Sequence, residues 1–459
     1  MPTHFDVIII GSGQAGPSLA NSLTQAGRTV AFVERKLFGG TCVNNGCTPT
    51  KALVASAYVA QKARIATDYG VIAPAPISVD MKAVKARKDK IVMNSRNGVE
   101  GWLKNMPRCT VYRGHARFES PKEVRVNDDL LTADQIFINV GGRAVVPDFP
   151  GVNEVPYLTN VSILDLDTLP RHLVIVGGSY VGLEFAQIFR RFGSEVTVIE
   201  KNPRLCHRED QDVSASIRSF LEKEGIHVRT SAECIHFKRQ GNDIAAGVDC
   251  TEDPTDSIGS HVLLAVGRRP NTDDLGLEKA GIAHDKHGYI TVDDQLRTSV
   301  PGIWALGDCN GRGAFTHTAW NDFEIVAANL LDNDPRRVTD RILCYALYTD
   351  PPLGRVGLTE TEVRESGKPA LIGTRPMTRV SRAIEKGETE GFIKILVDAA
   401  SKQIIGANIL GTGGDEAIHC ILDTMYAKAP YTNIQRAVHI HPTVSELLPT
   451  VLADLKPLI

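Results

Sequence analysis

The chain has 459 residues, a formal net charge of −3, 42% hydrophobic residues and 23% charged ones. So long a chain exceeds a single hydrophobic core and predicts three or four domains of roughly 100–200 residues each. The near-balanced charge offers nothing to nucleic acid or another polyanion, and no apolar run approaches the ~20 residues of a membrane span. The first residues run almost directly into a strand, with no basic segment ahead of a separate apolar one. No signal peptide and a cytoplasmic location are therefore expected.

Asp6-Val7-Ile8-Ile9-Ile10-Gly11-Ser12-Gly13-Gln14-Ala15-Gly16 reads as a strand, a tight turn and the start of a helix. The unbroken Val/Ile run predicts a buried parallel strand. Gly11, Gly13 and Gly16 fill the three slots of G-x-G-x-x-G. The first allows the turn, the second admits a pyrophosphate, and the third lets helix pack on strand. Glu34 closes the next apolar strand, Thr29-Val30-Ala31-Phe32-Val33, where a carboxylate accepts hydrogen bonds from a ribose diol.

Cys42 and Cys47 follow, inside Gly39-Gly40-Thr41-Cys42-Val43-Asn44-Asn45-Gly46-Cys47-Thr48-Pro49-Thr50-Lys51. Thr48-Pro49-Thr50 opens a predicted helix, since proline is tolerated in a first helical turn. Cys47 then lies near a helix N-terminus, whose partial positive charge favours the thiolate. A zinc site is the competing reading. It needs four ligands, and no second Cys/His pair stands at recognisable spacing, so no metal is expected. A purely structural disulfide is disfavoured in a reducing cytosol. The other seven cysteines, Cys109, Cys206, Cys234, Cys250, Cys309, Cys344 and Cys420, are scattered and read as buried, inert thiols. Helices are predicted over 51–66 and 81–104, with Pro74 and Pro76 breaking them.

The strand-turn-helix pattern returns at Leu173-Val174-Ile175-Val176-Gly177-Gly178-Ser179-Tyr180-Val181-Gly182, with a second strand Val196-Thr197-Val198-Ile199-Glu200. Each glutamate lies 23 positions after its first glycine, and a further glycine, Gly27 or Gly193, lies 16 positions after it. One such turn is a weak signal; two with matched offsets predict two dinucleotides. Ser179 departs from the pattern in the middle slot, where a small side chain still admits close approach. The first site neighbours the cysteines and should hold the cofactor that exchanges electrons with sulfur, FAD. The second should hold the nicotinamide donor. Glu200 favours NADH over NADPH, because a carboxylate attracts a 2′-hydroxyl and repels a 2′-phosphate. Lys201 and Arg204 lie close enough to oppose that preference; their alternative reading is a solvated helix-entry surface.

Three later motifs complete the pattern. They are Leu263-Leu264-Ala265-Val266-Gly267-Arg268-Arg269-Pro270-Asn271, Ala305-Leu306-Gly307-Asp308-Cys309, and His439-Ile440-His441-Pro442-Thr443-Val444-Ser445-Glu446. Between the last two, Phe392-Ile393-Lys394-Ile395-Leu396-Val397 predicts a strand followed by a Gly-rich turn and a helix. With the two glycine turns and the cysteine motif, these make the chain resemble the class I flavin-dependent pyridine nucleotide–disulfide oxidoreductases over essentially its whole length. Dihydrolipoamide dehydrogenase, glutathione reductase and mercuric reductase belong to that family.

The resemblance implies an α/β fold: two Rossmann-like dinucleotide-binding domains plus a C-terminal α+β dimerisation domain. The expected ranges are 1–150 for the FAD domain, with a helical insertion near 51–104, and 151–272 for the NAD(P) domain. A returning central segment spans 273–342 and the dimerisation domain 343–459. Roles are implied residue by residue. Asp308 binds the FAD ribityl chain. Lys51 pairs with Glu184 near the flavin, and Tyr180 gates the flavin face where nicotinamide stacks. His441 is the catalytic base, oriented by Glu446. Taken alone, each has a blander reading: a turn aspartate, a surface ion pair, a packing tyrosine, a satisfied structural histidine. Electrons are expected to run from NAD(P)H through FAD to the Cys42–Cys47 disulfide. Cys47 would be the thiolate facing flavin and Cys42 the interchange thiol. An imidazole suits the proton shuttle because it titrates near neutrality. In this family the base reaches the partner's cysteines, which implies an obligate homodimer.

For the acceptor, Thr48-Pro49-Thr50-Lys51 and Tyr348-Thr349-Asp350-Pro351-Pro352-Leu353-Gly354-Arg355-Val356-Gly357 resemble the mercuric-reductase-like branch. Some members of that branch reduce hypohalous or hypothiocyanous acids. The last residues, Val451 to Ile459, hold no thiol where mercuric reductases typically carry a vicinal cysteine pair, and no N-terminal metal-binding domain is expected. The expected activity is FAD-dependent NAD(P)H:acceptor oxidoreduction, with a metal ion, an oxidant or a disulfide as acceptor. Dihydrolipoamide dehydrogenase is the alternative, since His441 and Glu446 suit a dithiol. Glutathione reductase is opposed by Glu200, and long-type thioredoxin reductase by the missing redox tail. A non-enzymatic thiol sensor is the alternative of another class, and a complete nicotinamide site argues against it.

Overall fold

The computed structural model describes every residue except 75, 249–255 and 459. Thr3–Ile10 is the centre of a mostly parallel sheet, flanked by Val30–Glu34 and Asp129–Ile138, with Cys109–Arg113 beyond Val30–Glu34. Val7 to Ile10 and Val30 to Val33 are buried. A parallel sheet covered on both faces needs such unbroken apolar strands. Ile303–Ala305 rejoins this sheet, pairing in parallel with the end of Asp129–Ile138.

The second glycine turn belongs to a four-stranded parallel sheet. Its order is Ile226–Arg229, Glu195–Ile199, His172–Val176, His261–Leu264. An antiparallel pair, Gly142–Ala144 with Arg268–Pro270, joins the two nucleotide units. The chain then builds a six-stranded antiparallel sheet in the order Cys344–Leu347, Leu353–Gly357, Ile404–Leu410, Phe392–Asp398, Ala370–Pro376, Lys456–Pro457. Phe392–Asp398 is followed by the strand Ile404–Leu410, and the helices come only after it. Ile404–Leu410 is buried along almost its whole length on both faces, so it shows no alternation to mark it as a strand.

The helix predicted from residue 51 begins at Cys47 and runs to Arg64, followed by a short 3-10 turn at Ala66–Tyr69. Pro49 falls within the first turn, where its missing N–H leaves no partner unpaired. Met81–Lys104 starts where Asp80 accepts the backbone N–H of Lys82 at 2.9 Å and of Ala83 at 3.1 Å, an N-cap of the usual kind. Leu53 and Ala57, on the helix that carries Cys47, share one buried cluster with Leu173 and Phe185 of the second nucleotide unit and with Leu347, Leu353 and Leu410 of the antiparallel sheet. The sulfur-bearing helix is thus clamped where the units meet.

The expectation of uniformly buried thiols holds for Cys206 and Cys309 only. Cys109 and Cys344 are half-buried, Cys420 lies exposed at the start of the helix His419–Tyr426, and Cys234 is disulfide-bonded. Cys250 falls outside the described residues. No helix among the described residues is long and apolar enough to cross a membrane.

Candidate redox-active site

The two glycine turns repeat each other bond for bond. Gly11 N–H donates to Val33 O at 2.8 Å, and Gly177 N–H to Ile199 O at 2.8 Å. Gly11 and Gly177 have φ of +103° and +114°, which side chains rarely adopt. A Cβ at Gly16 would lie 2.4 Å from Gly11 O, and one at Gly182 would lie 2.0 Å from Gly177 O. These two glycines set the approach of helix to strand and do not line the cleft. Ser179 has φ −111° and ψ −174°, ordinary extended backbone. The middle slot of the second turn therefore makes no demand for glycine.

Each glutamate then folds back on its turn. Glu34 accepts Ser12 N–H at 2.9 Å, Ser12 Oγ–H at 2.6 Å and Lys36 N–H at 2.7 Å. Glu200 accepts Gly178 N–H at 2.6 Å and Asn202 N–H at 2.8 Å. Both carboxylates are buried beside a turn that presents glycine to the cleft, Gly11 and Gly13 in the first and Gly177 in the second, which fits a dinucleotide pyrophosphate and its ribose. Lys201 and Arg204 also line the space around Glu200.

Both turns open on one cleft of about 2750 Å³. That is several times the volume usual for a single drug-sized ligand. Gly11, Gly13, Glu34, Cys42, Cys47, Lys51, Gly177, Ser179, Tyr180, Glu184, Glu200 and Asp308 all line it. Asp308 takes Nη2 of Arg268 at 3.1 Å, so the strand that joins the nucleotide units also holds this aspartate.

Cys42 lies in the short helix Gly40–Asn45, and Cys47 begins the next helix. Both are free thiols, half-buried, and near enough to shift each other's ionisation. Cys47 Sγ is 3.0 Å from Thr316 Oγ1. The neighbouring Cys42 thiol, then Thr316 and the Lys51 charge, push the Cys47 thiol down to about 6 against the opposing effect of burial. Cys42 moves the other way. Cys47 beside it and its burial hold its thiol far above the usual range. One sulfur is set up as a thiolate and the other keeps its proton.

Lys51 Nζ donates to Glu184 Oε1 and Oε2 at 3.0 and 2.8 Å, and lies 4.5 Å from the centre of the Tyr348 ring. Tyr348 N–H also donates to Glu184 Oε1 at 3.0 Å. Glu184 is buried, so this pair is not the surface ion pair that a bland reading would give. Tyr180 donates to Glu209 Oε1 at 2.8 Å and packs against Tyr345.

His441 and Glu446 stand apart from this cleft. His441 Nδ1 is 2.8 Å from Glu446 Oε2, and the imidazole side chain is 73% exposed. Val438 and Ile440 beside it are exposed apolar residues. Sequence reasoning missed Thr316, Glu209, Tyr345 and Asn139, whose amide packs beneath the first turn at 3.4 Å from Gly11 O. Only the helix start after Phe315 marks Thr316, and nothing local marks the others.

The family model described as pyridine nucleotide-disulphide oxidoreductase matches residues 5–322, and that of its dimerisation domain matches 344–452. The probable pyridine nucleotide-disulfide oxidoreductase RclA of Escherichia coli strain K12 is 34% identical over 452 residues, covering 97% of this chain and 98% of its own. The mercuric reductase of Streptomyces lividans is 34% identical over 451 residues, covering 97% and 95%. A solved structure described as the Cu(II) complex of HOCl-induced flavoprotein disulfide reductase RclA from Escherichia coli aligns with a TM-score of 0.90 at 33% identity, covering 99% of each chain. The chain belongs to the pyridine nucleotide–disulfide oxidoreductases, as an FAD-binding, NAD(P)H-dependent flavoprotein enzyme with the family's homodimer-forming domain.

Proposed function

We propose that this enzyme uses Cys42 and Cys47 to relay electrons from NAD(P)H to a small thiophilic acceptor, a metal ion or an inorganic oxidant, in the cytoplasm. The observation that carries this reading is the placing of the two sulfurs. Cys42 and Cys47 line one cleft with both glycine turns, Thr316 Oγ1 stands 3.0 Å from Cys47 Sγ, and the Lys51–Glu184 pair lines the same cleft, an arrangement that favours the thiolate on Cys47. FAD, held by the first glycine turn, Glu34 and Asp308, supplies a two-electron carrier between nicotinamide and sulfur. The second turn and Glu200 hold the nicotinamide nucleotide, and the buried carboxylate of Glu200 favours NADH.

The residues divide the remaining work. Opening the Cys42–Cys47 disulfide takes up two electrons and one proton. The proton stays on Cys42, while Thr316, Lys51 and the Cys42 thiol stabilise the Cys47 thiolate. Cys42 must lose that proton to attack an acceptor. His441, oriented by Glu446, receives it from across the dimer and, as the S–S bond re-forms and two electrons pass to the acceptor, gives it to the reduced oxidant or, where a metal ion is reduced, to solvent. The exposed apolar surroundings of His441 support a partner subunit as its neighbour.

Two kinds of relative support an inorganic acceptor, while the dihydrolipoyl dehydrogenase of Thermus scotoductus, 33% identical over 445 residues, keeps a dithiol as the alternative. RclA is described as HOCl-induced and in a Cu(II) complex, and mercuric reductase is named for its metal. A thiolate beside a thiol suits soft metal ions and electrophilic oxidants. The test is a panel of acceptors: lipoamide, oxidised glutathione, Hg(II), Cu(II), hypothiocyanite and a quinone, each with NADH and with NADPH. The metal ions or hypothiocyanite should turn over fastest. Lipoamide turning over faster than all of them would replace this reading with dihydrolipoamide chemistry.

A further inference from the structure

Beside the second turn lies a buried charge that the relay does not use. Glu209 has a side-chain exposure of 0%. Its Oε1 accepts two hydroxyls, from Tyr180 at 2.8 Å and from Tyr345 at 2.6 Å. Among the described residues its Oε2 accepts no hydrogen bond; it lies 3.5 Å from Nη1 of Arg355, which stands equally 3.5 Å from Asp210 Oδ2. Arg355, on Leu353–Gly357 of the antiparallel sheet, is 1% exposed, and among the described residues none of its guanidinium nitrogens has a hydrogen-bond partner. An ion pair this deep adds little net stability, because both charges give up their water. Its effect is to fix the place of the carboxylate.

That place matters because of Tyr180. The residue opens the helix that follows the second glycine turn. Its ring centre is 5.5 Å from that of Tyr345 and 6.4 Å from that of Phe315. Phe315 precedes Thr316, the hydrogen-bond partner of Cys47. Tyr180 therefore joins the nicotinamide turn to the sulfur end of the cleft. If it were the sole donor to Glu209, moving its ring would leave a buried carboxylate oxygen unsatisfied, a costly state. Tyr345 removes that obstacle by staying bound.

We propose that Glu209, fixed by Arg355, is a latch that positions Tyr180, and that Tyr345 is the second donor that lets the latch release when a nicotinamide nucleotide binds. The inference rests on the reading of Tyr180 as a gate at the nicotinamide site. Glu209, Arg355 and Tyr345 act through Tyr180 and are positioning residues.

The test is calorimetric titration of the FAD-loaded, oxidised homodimer with NAD+ and, separately, NADP+, which bind without turnover. Tyr345→Phe removes one hydroxyl and leaves every buried charge in place. It should weaken nucleotide binding at least about fivefold, because release now orphans Oε1. In Tyr180→Phe the latch is gone, so adding Tyr345→Phe should leave affinity within about twofold of Tyr180→Phe alone. Wild-type affinity in Tyr345→Phe, or a weakening that persists in the double variant, overturns the latch. If wild-type enzyme binds neither nucleotide, or Tyr180→Ala binds as wild type does, the gate reading fails and the latch fails with it.

Discussion

The sulfur end and the base end of this enzyme are built in opposite ways. Cys42, Cys47, Lys51, Glu184 and Thr316 converge from distant parts of one chain on one cleft, withdrawn from solvent and tied in two hydrogen-bonded pairs, Cys47 with Thr316 and Lys51 with Glu184. His441 and Glu446 form an equally well-made pair, yet the imidazole is 73% exposed among apolar neighbours. On the proposed reading of His441 as the base, a position in solvent gives it nothing to act on within its own protomer. The contrast is then that of a site finished within the protomer against half a site proposed to await a second copy.

Substitutions separate the two ends. The largest effect belongs to sulfur. Cys42→Ser should drop turnover below about a thousandth of wild type yet keep the long-wavelength thiolate–flavin absorbance in stopped flow. Cys47→Ser should lose both. Full activity in Cys42→Ser with a disulfide acceptor would overturn the assignment. At the base end, His441→Ala should cost about a hundredfold in kcat while the absorbance band remains, as expected of a lost proton shuttle. Glu446→Gln should cost about tenfold, the worth of one charge-assisted hydrogen bond. A band lost with His441 would mean that the two ends are not independent.

The smallest effect is one of pH. The Cys47 thiol is pushed down to about 6, so the thiolate band of reduced enzyme should persist above that pH and fade as pH falls through it. Thr316→Val removes a donor to the thiolate. The midpoint should then rise by roughly one pH unit. A midpoint that stays put would remove Thr316 from the account.

The features legible in the sequence are those set by neighbours along the chain. Both glycine turns, their glutamates and the cysteine motif are local, and their matched spacing reappears as matched hydrogen bonds. The start of Met81–Lys104 is likewise announced by Asp80. Contacts between distant segments left no such local trace; Lys51 with Glu184, 133 positions apart, was expected from the family resemblance alone. Thr316 meets Cys47 across 269 positions, and Glu209 meets Tyr345 across 136. Ile404–Leu410 stayed hidden because burial on both faces erases the alternation that marks a strand. Ser179, read as a departure from the pattern, turns out to occupy a position where extended backbone suits any residue.

The most direct test of a site shared between subunits is to mix Cys42→Ser and His441→Ala homodimers, let subunits exchange, and measure turnover. If the base crosses the dimer, each mixed dimer has one site with both lesions and one with neither, so activity should return to about a quarter of wild type after random exchange. Activity that stays at the level of the separate variants, with mixed dimers shown to have formed, would mean that His441 serves its own chain's cysteines or none.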